Sequence, residues 1–353
     1  MNCLWLVNQC IRIVMKKKIT IGDIAQQLGV SKTTVSFVLN GKAREKHISE
    51  NLEEKILHHM ERVGYRPNQF AQGLRNGKTK IIGMLVEDIS DPFFALLARE
   101  MEEIAYQKGY KIIYSSTENE TEKARDLIEI YRTRQVDGYI IAPPPGIERE
   151  INDLIDDNLP VVIFDRTIPD VDTNTVLVNN YASSYDAVLH LIENGYRNIA
   201  LVTLSSDQEQ MLERLEGYTD ALKRIKSVPV IKKVIYHDRR ESSVKDIQNF
   251  LAANRQIDAV FFATNYIADS GLESIRNLSL TIPGDLGVIV FDDHNLYRLF
   301  SPPITAVSQP IKEIAEKSIN IMLEILDGKR SLKDKENVIL ESKLVVRGSS
   351  SKR

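Results

Sequence analysis

The sequence predicts an α/β protein in which a small helical head precedes two successive doubly wound lobes. Three observations predict it. Thr20 to Gly41, TIGDIAQQLGVSKTTVSFVLNG, has the apolar spacing of two short helices broken at a glycine. From Lys80 onward, apolar runs of strand length alternate with amphipathic helical stretches, in two series. Charge is divided in the same place: Lys16 to Lys78 carries 12 Lys/Arg against 6 Asp/Glu. With Arg12 upstream and a whole-chain formal charge of -3, the part from Thr79 onward carries -10. Only the head is suited to a polyanion.

In the head, Thr20 and Asp23 suit a capped helix start, and Ile24, Ala25 and Leu28 supply its apolar face. Gly29 ends that helix. Ser31 caps a second one, whose Val35, Val38 and Leu39 face inward and whose end is marked by Asn40-Gly41. Lys32, Thr33, Ser36 and Phe37, with Thr34 beside them, are left pointing outward. Short polar and cationic groups of this kind reach base edges and phosphates in a major groove, although the same spacing also fits an ordinary helical hairpin. A basic loop, Lys42 to His47, leads to a third helix capped by Ser49 with Leu52, Ile56, Leu57, Met60 and Val63 on its buried face. Three short helices bury a small core. Between Tyr65 and Lys78, Phe70, Ala71 and Leu74 share one face of a helix of about two turns, too short to be stable alone in water. It needs a partner to fold.

The body opens with apolar runs suited to buried parallel strands at Ile81–Val86, Lys111–Tyr114, Gly138–Ala142 and Val161–Phe164. Helices such as Phe94–Gln107 and Glu120–Arg134 separate them. A second series lies near Ile199–Thr203, Val230–Tyr236, Ala259–Ala263 and Val288–Phe291. Two such units suggest two lobes with a cleft between them, and ligands of these sheets sit beyond the carboxyl ends of the strands. Four polar positions fall there: Asp91, before Pro92-Phe93-Phe94; Asp165 after VVIF; Asn265 after FFAT; and Asp292-Asp293 after VIVF. Helix N-capping is the alternative role for Asp165, Asn265 and Asp292, and it is the role expected of Asp293. Pro143-Pro144-Pro145 reads as a stiff loop at a strand end. Thr305 to Asp327 has the composition of a crossover, in which Gln309-Pro310 opens a long amphipathic helix.

Both cysteines, Cys3 and Cys10, lie in the first ten residues, so nothing later offers a disulfide framework or a thiolate metal site. A cytoplasmic protein fits best. Cys3 to Val14 is too short for a membrane span, and its positive charges follow it rather than precede it as in a secretory signal. Met15-Lys16-Lys17-Lys18 resembles a natural start, with residues 1–14 as an upstream extension. The chain has no GxGxxG opening a helix, P-loop, HExxH or GxSxG, and His190, His237 and His294 are scattered. No catalytic residue, metal ligand or cofactor is therefore assigned. A solute receptor of the transport type shares the two-lobed plan but has no use for a basic helix-turn-helix.

The helix-turn-helix with TVS and VLNG, then GYRPNQFAQGLRNGKT, then IIGMLVEDISDPFFALL, resembles the LacI/GalR family of bacterial transcriptional regulators from about Ile19 to Gly348. The resemblance implies an N-terminal three-helix helix-turn-helix domain (19–66), preceded by the extension 1–18. A hinge-helix linker (67–79) follows, and then a two-lobed, periplasmic-binding-protein-like (type I) domain for effector binding and dimerisation (80–348), with a tail at 349–353. Its first lobe would be about 80–179 and 308–335, its second about 180–307 and 336–348. The hinge helix would pair with its twin in the DNA minor groove, where Leu74 wedges a base step beside Asn68, Ala71 and Gln72. Lys32 and Thr33 match base-reading positions; Ser31, Ser36, Asn40 and His47 match phosphate-holding ones. Thr20, Thr34 and Phe37, whose ring could touch a thymine methyl, complete the DNA-binding set.

Asp165, Arg214, Asn265 and Asp292 match effector positions, with Asp91, Phe93 and Phe94 beside them. A surface ion pair is the alternative for Arg214. Carboxylates, an amide and a guanidinium can pair with vicinal hydroxyls while a phenyl ring packs on a sugar face. The implied protein is a metabolite-controlled regulator of operator DNA, a repressor and a homodimer, since no leucine heptad tail follows. Its effector would be a sugar or sugar derivative, with nucleobase or protein-partner control as the alternative. Several positions depart from the family pattern. Phe37 stands where arginine is common, the loop from Asn40 to Ile48 is about three residues longer, and Ser205-Ser206-Asp207 replaces a glycine-rich segment. Asn265-Tyr266 and Asn179-Asn180 stand for Asn-Asp and Asp-Asn pairs. Operator sequence and effector identity therefore do not carry over from relatives.

Overall fold

The computed structural model describes residues 19–65, 78–235 and 240–352. Its contacts divide the chain into two units, one ending at Thr79 and one beginning at Lys80. In the first unit, α1 (Ile21–Leu28), α2 (Lys32–Leu39) and α3 (Glu50–Arg62) pack around Ile24, Ala25, Val35, Val38, Ala43, Ile56 and Met60. Thr20 and Asp23 cap α1 reciprocally: the Asp23 N–H donates to Thr20 Oγ1 at 3.2 Å and the Thr20 N–H to Asp23 Oδ2 at 2.8 Å. Gly29 turns the chain at φ +68°, a left-handed conformation that side chains disfavour. Ser31 caps α2 and Ser49 caps α3. Leu57, expected inside, is exposed; the inward position is taken by His59, which bonds Gln27 of α1 at 2.7 Å and Arg62 at 2.8 Å. A polar residue on the α3 seam is therefore paid for by a partner on the facing helix.

The second unit holds two six-stranded sheets with the same winding. The first orders β2 (Lys111–Ser116), β1 (Ile81–Val86), β3 (Gly138–Ile141), β4 (Val161–Phe164), β5 (Asn174–Val178) and β11 (Asn337–Leu340), all parallel. The second orders β7 (Val230–Val234), β6 (Ile199–Leu204), β8 (Ala259–Phe262), β9 (Gly287–Phe291), β10 (Thr305–Ser308) and β12 (Lys343–Val345), with only β12 antiparallel. In each sheet the order reverses at the first strand of the series, so its helices cover both faces and a crevice opens at the strands' carboxyl ends.

In the first lobe, α4 (Pro92–Gln107) and α11 (Ile311–Leu326) cover one face, while α5 (Thr121–Thr133) and α6 (Glu148–Asp156) cover the other. The second lobe is covered by α7 (Asn180–Glu193) and α8 (Glu209–Lys223) on one side, and by α9 (Arg240–Ala253) and α10 (Asn265–Asn277) on the other. A Cβ added to Gly217 of α8 would lie 2.3 Å from the Tyr181 carbonyl oxygen of α7, so the close crossing of these helices requires glycine there.

The chain passes between lobes three times: from β5 into α7, from β10 into α11, and from β11 to β12. The last passage corrects the expected lobe boundary. Residues 336–348 do not all join the second lobe, because β11 pairs in parallel with β5 at the edge of the first sheet and only β12 reaches the second. Four alternating residues, half of them exposed, give β11 no identity until β5 supplies its register. The expected crossover from Thr305 begins with β10, and its helix starts at Ile311 behind Pro310.

Candidate effector cleft and DNA-recognition helix

Each cleft residue is set in place by the end of a buried strand or the start of a helix. After β1 the chain turns into α4, which Asp91 caps by accepting from the Phe93 N–H at 2.8 Å; Phe93 and Phe94 follow in the first turn with their rings mostly in the core. Asp165 ends β4 and Asp292 ends β9, both with left-handed backbone (φ +70° and +79°). Both donate their N–H to the neighbouring strand, at Val176 and Val307. Aspartate tolerates this conformation better than bulkier residues do. Neither caps a helix. Asn265 is the first residue of α10, whose cap is Thr264. Asp293, expected as a cap, instead receives both Arg347 nitrogens at 2.8 and 2.6 Å and so ties β9 to the segment after β12.

Arg214 is no surface ion pair: it is 2% exposed, stacked 3.5 Å above the Phe291 ring centroid. It donates to Asn180 Oδ1 at 3.0 Å and to the Ala263 carbonyl at 2.7 Å, with Asp292 Oδ2 at 3.9 Å. Burial lowers its pKa, against the carboxylates of Asp292 and Asp165. Burial also raises Asp292, although Arg214 and Gln309 pull the other way. Asp91 is pushed up to about 7, first by burial and then by the charge of Asp292.

All seven expected effector residues, Asp91, Phe93, Phe94, Asp165, Arg214, Asn265 and Asp292, line one space of about 30 Å³ between the lobes. That is room for about one water molecule. The lobes touch across it: Asn265 Nδ2 donates to Asp91 Oδ2 at 3.0 Å, Gln208 Nε2 donates to Asn119 Oδ1 at 3.1 Å, and Thr167 meets Glu209. Beyond Tyr266, which lines both, lies a chamber of about 1050 Å³ walled by the Pro143–Pro145 loop and by Ser205, Ser206 and Asp207.

Several residues of the inner space escaped the sequence reading, among them Arg166, Gln309 and Gln210. Arg166 bonds Asp165 at 2.8 Å and Glu87 at 2.7 Å; burial opposes its charge, yet the two carboxylates prevail and its pKa is raised. Gln309 donates to Asp292 Oδ1 at 2.6 Å, and Gln210 stands beside Met211. Arg166 directly follows Asp165 and could have been found by that adjacency. The two glutamines carry no comparable signal.

A sequence profile of bacterial regulatory proteins of the lacI family matches residues 20–68, and one of the periplasmic binding protein-like domain matches residues 188–350. The HTH-type transcriptional regulator DegA of Bacillus subtilis (strain 168) is 30% identical over 341 residues, spanning 95% of this chain and 98% of DegA. The chain belongs to the LacI family of bacterial transcriptional regulators. Two solved structures share its fold. The lac repressor dimer bound to operator and the anti-inducer ONPF has a TM-score of 0.80 at 22% identity, covering 95% of this chain and 100% of that one. The transcriptional regulator CelR–cellobiose complex has a TM-score of 0.69 at 22% identity, covering 94% and 99%.

On α2 of this LacI-family chain, Lys32 and Thr33 are exposed. Thr34 and Ser31 share a hydroxyl contact of 2.8 Å at the cap, and Asn40 folds back onto Ser36, so these four are partly occupied within the domain. Phe37 is half-buried with the Lys46 ammonium 5.7 Å from its ring centroid, a cation–π arrangement that the linear reading missed. Thr20 and His47 are exposed, His47 at φ +54°. Asn68, Ala71, Gln72 and Leu74 lie outside the described residues, as does His237. No helix among the described residues is long and apolar enough to cross a membrane.

Proposed function

We propose that this regulator is a homodimeric, cytoplasmic repressor whose hold on operator DNA is set by a small polyhydroxylated metabolite between its lobes. The observation that carries the reading is the convergence of Asp91 and Asp165 from one lobe with Arg214, Asn265 and Asp292 from the other on a single space. Groups from both lobes can bond one ligand together, so ligand and lobe closure are coupled. The cellobiose in the CelR complex supports a carbohydrate, as do the carboxylate, amide and guanidinium groups in the cleft. In this reading residues 19–66 hold the major groove, through Lys32 and Thr33 at base edges and Thr20, Ser31, Thr34, Ser36, Asn40 and His47 at the backbone. Residues 67–79 form the hinge helix whose Leu74 enters the minor groove, with Asn68, Ala71 and Gln72 beside it. The body from residue 80 binds effector and pairs the subunits.

Because the Asn265–Asp91 bond closes the inner space, a ligand replaces a contact between lobes and changes their angle. Coupling of about 1–3 kcal/mol between effector and operator is typical and must be reciprocal. The test selects operator sequences with the full chain, then titrates sugars while following operator binding by fluorescence anisotropy. A ligand that binds and leaves operator affinity unchanged refutes the switch, and operator binding by monomers refutes the dimer.

A further inference from the structure

The inner space is richer in carboxyl groups than in cations. Glu87, Asp91, Asp165 and Asp292 line it, and the cations that do so among the described residues are Arg166 and Arg214. Both guanidiniums are already engaged, Arg166 with Asp165 and Glu87, Arg214 with Asn180, Ala263 and Asp292. Asp91 accepts only from the Phe93 N–H and the Asn265 amide and meets no cation among the described residues. A second observation is independent of charge. Gln210 and Gln309 line the same space, are 4% and 6% exposed, and their Oε1 atoms accept no hydrogen bond among the described residues. For Gln309 the amide orientation is fixed, because its Nε2 donates to Asp292. A buried acceptor left without a donor is costly, so a ligand that donates to these oxygens gains affinity by it.

A ligand group suited to this space donates several hydrogen bonds, carries positive charge and is about the size of one water molecule. A hydroxyl supplies one donor and no charge; a carboxylate or phosphate adds repulsion. A protonated primary amine meets all three requirements. The outer chamber agrees in sign: Asp88, Glu118, Glu120, Glu148, Asp207 and Glu209 line it together with Glu87, and among the described residues no Lys, Arg or His does. Its volume suits a body of one or more pyranose rings.

We propose that the effector carries a protonated primary amine seated among Asp91, Asp292, Gln210 and Gln309, with its polar body in the outer chamber. This rests on the cleft being the effector site, and with a carbohydrate body the ligand is an amino sugar. The elevated pKa of Asp91 accords with it, since a bound ammonium supplies the counter-charge this carboxylate lacks.

The test uses the full chain at pH 7, measuring thermal shift, Kd and operator release with matched pairs: glucosamine and glucose, galactosamine and galactose, the β-1,4-linked glucosamine dimer and cellobiose. N-acetylglucosamine, glucuronate and spermidine complete the panel. In at least one pair the amine should bind tenfold or more tighter, N-acetylation should abolish the advantage, and glucuronate should bind weakest. In Asp91→Asn the amine should lose affinity by a clearly larger factor than its neutral partner, so that the ratio of the two Kd values falls toward one. Neutral sugars binding as well as their amines overturn the inference and leave the carbohydrate reading standing. Spermidine binding while every sugar fails keeps the amine and overturns the carbohydrate. No response to any compound overturns both.

Discussion

Replacing Asp91 with asparagine should stabilise the effector-binding unit in alkaline solution relative to acid. In the folded chain this carboxyl has a pKa of about 7, against 3.8 for an unperturbed aspartate. Between those values the folded state holds a proton that the unfolded chain has released, so stability falls as pH rises toward 7 and is level above it. Each unit is about 1.4 kcal/mol, so the stretch from pH 5.5 to 7 alone costs the wild type roughly 2 kcal/mol. Asparagine cannot ionise. It can still accept from the Phe93 N–H, while its amide nitrogen meets that of Asn265, a penalty that does not change with pH. The difference between variant and wild type should therefore shift in the variant's favour by roughly 2 kcal/mol on going from pH 5.5 to pH 8. Urea unfolding followed by far-ultraviolet circular dichroism at both pH values reads this shift. A difference that stays constant within about 0.5 kcal/mol would falsify the account of Asp91 as a buried carboxylate without a cation.

Phe37→Arg should alter base preference at one position in each half-site and leave effector affinity alone; an unchanged binding-site selection removes Phe37 from base reading. Lys32→Ala should weaken operator binding by about 1–3 kcal/mol, with wild-type urea stability because its side chain is exposed. Equal affinity in an anisotropy titration would place it away from the DNA. Gly217→Ala should destabilise the effector unit by about 1–3 kcal/mol, since the new methyl meets the backbone of α7 and outweighs alanine's better helix propensity. Unfolding at the wild-type urea midpoint would show that α7 and α8 can separate without cost.

The parts of the fold written in continuous apolar runs were legible. β1, β3, β4, β6, β8 and β9 are buried strands whose hydrophobicity announces them without help from neighbours. The helix caps at Thr20, Ser31 and Ser49 were equally plain, because capping depends on residues three apart. β5, β10, β11 and β12 were not read: they are three to five residues long, and long-range pairing decides which sheet each joins. The cleft divides in the same way. Asp165 and Asp292 sit directly after strands that periodicity finds, and Asp91 and Asn265 lie a few residues beyond such strands, at helix starts. Gln210 and Gln309 owe their place to helix orientation and to a crossing segment, neither of which leaves a local pattern. Phe37 was legible as a helix-surface residue, but its cover by Lys46 depends on how the following loop folds back.

The placement of β11 and β12 bears on how the protein is made. They are the outer strands of the two sheets, one each, yet they come from neighbouring stretches of the chain. During synthesis the first lobe cannot acquire its last strand until residue 340 has been added, nor the second until residue 345 has. Until then β5 and β10 each present an unpaired edge to the cell, and a nascent chain stalled between α11 and β11 exposes both together. Completion of the two lobes is therefore a nearly simultaneous event, and the cleft between them takes its final form only once both strands have been made.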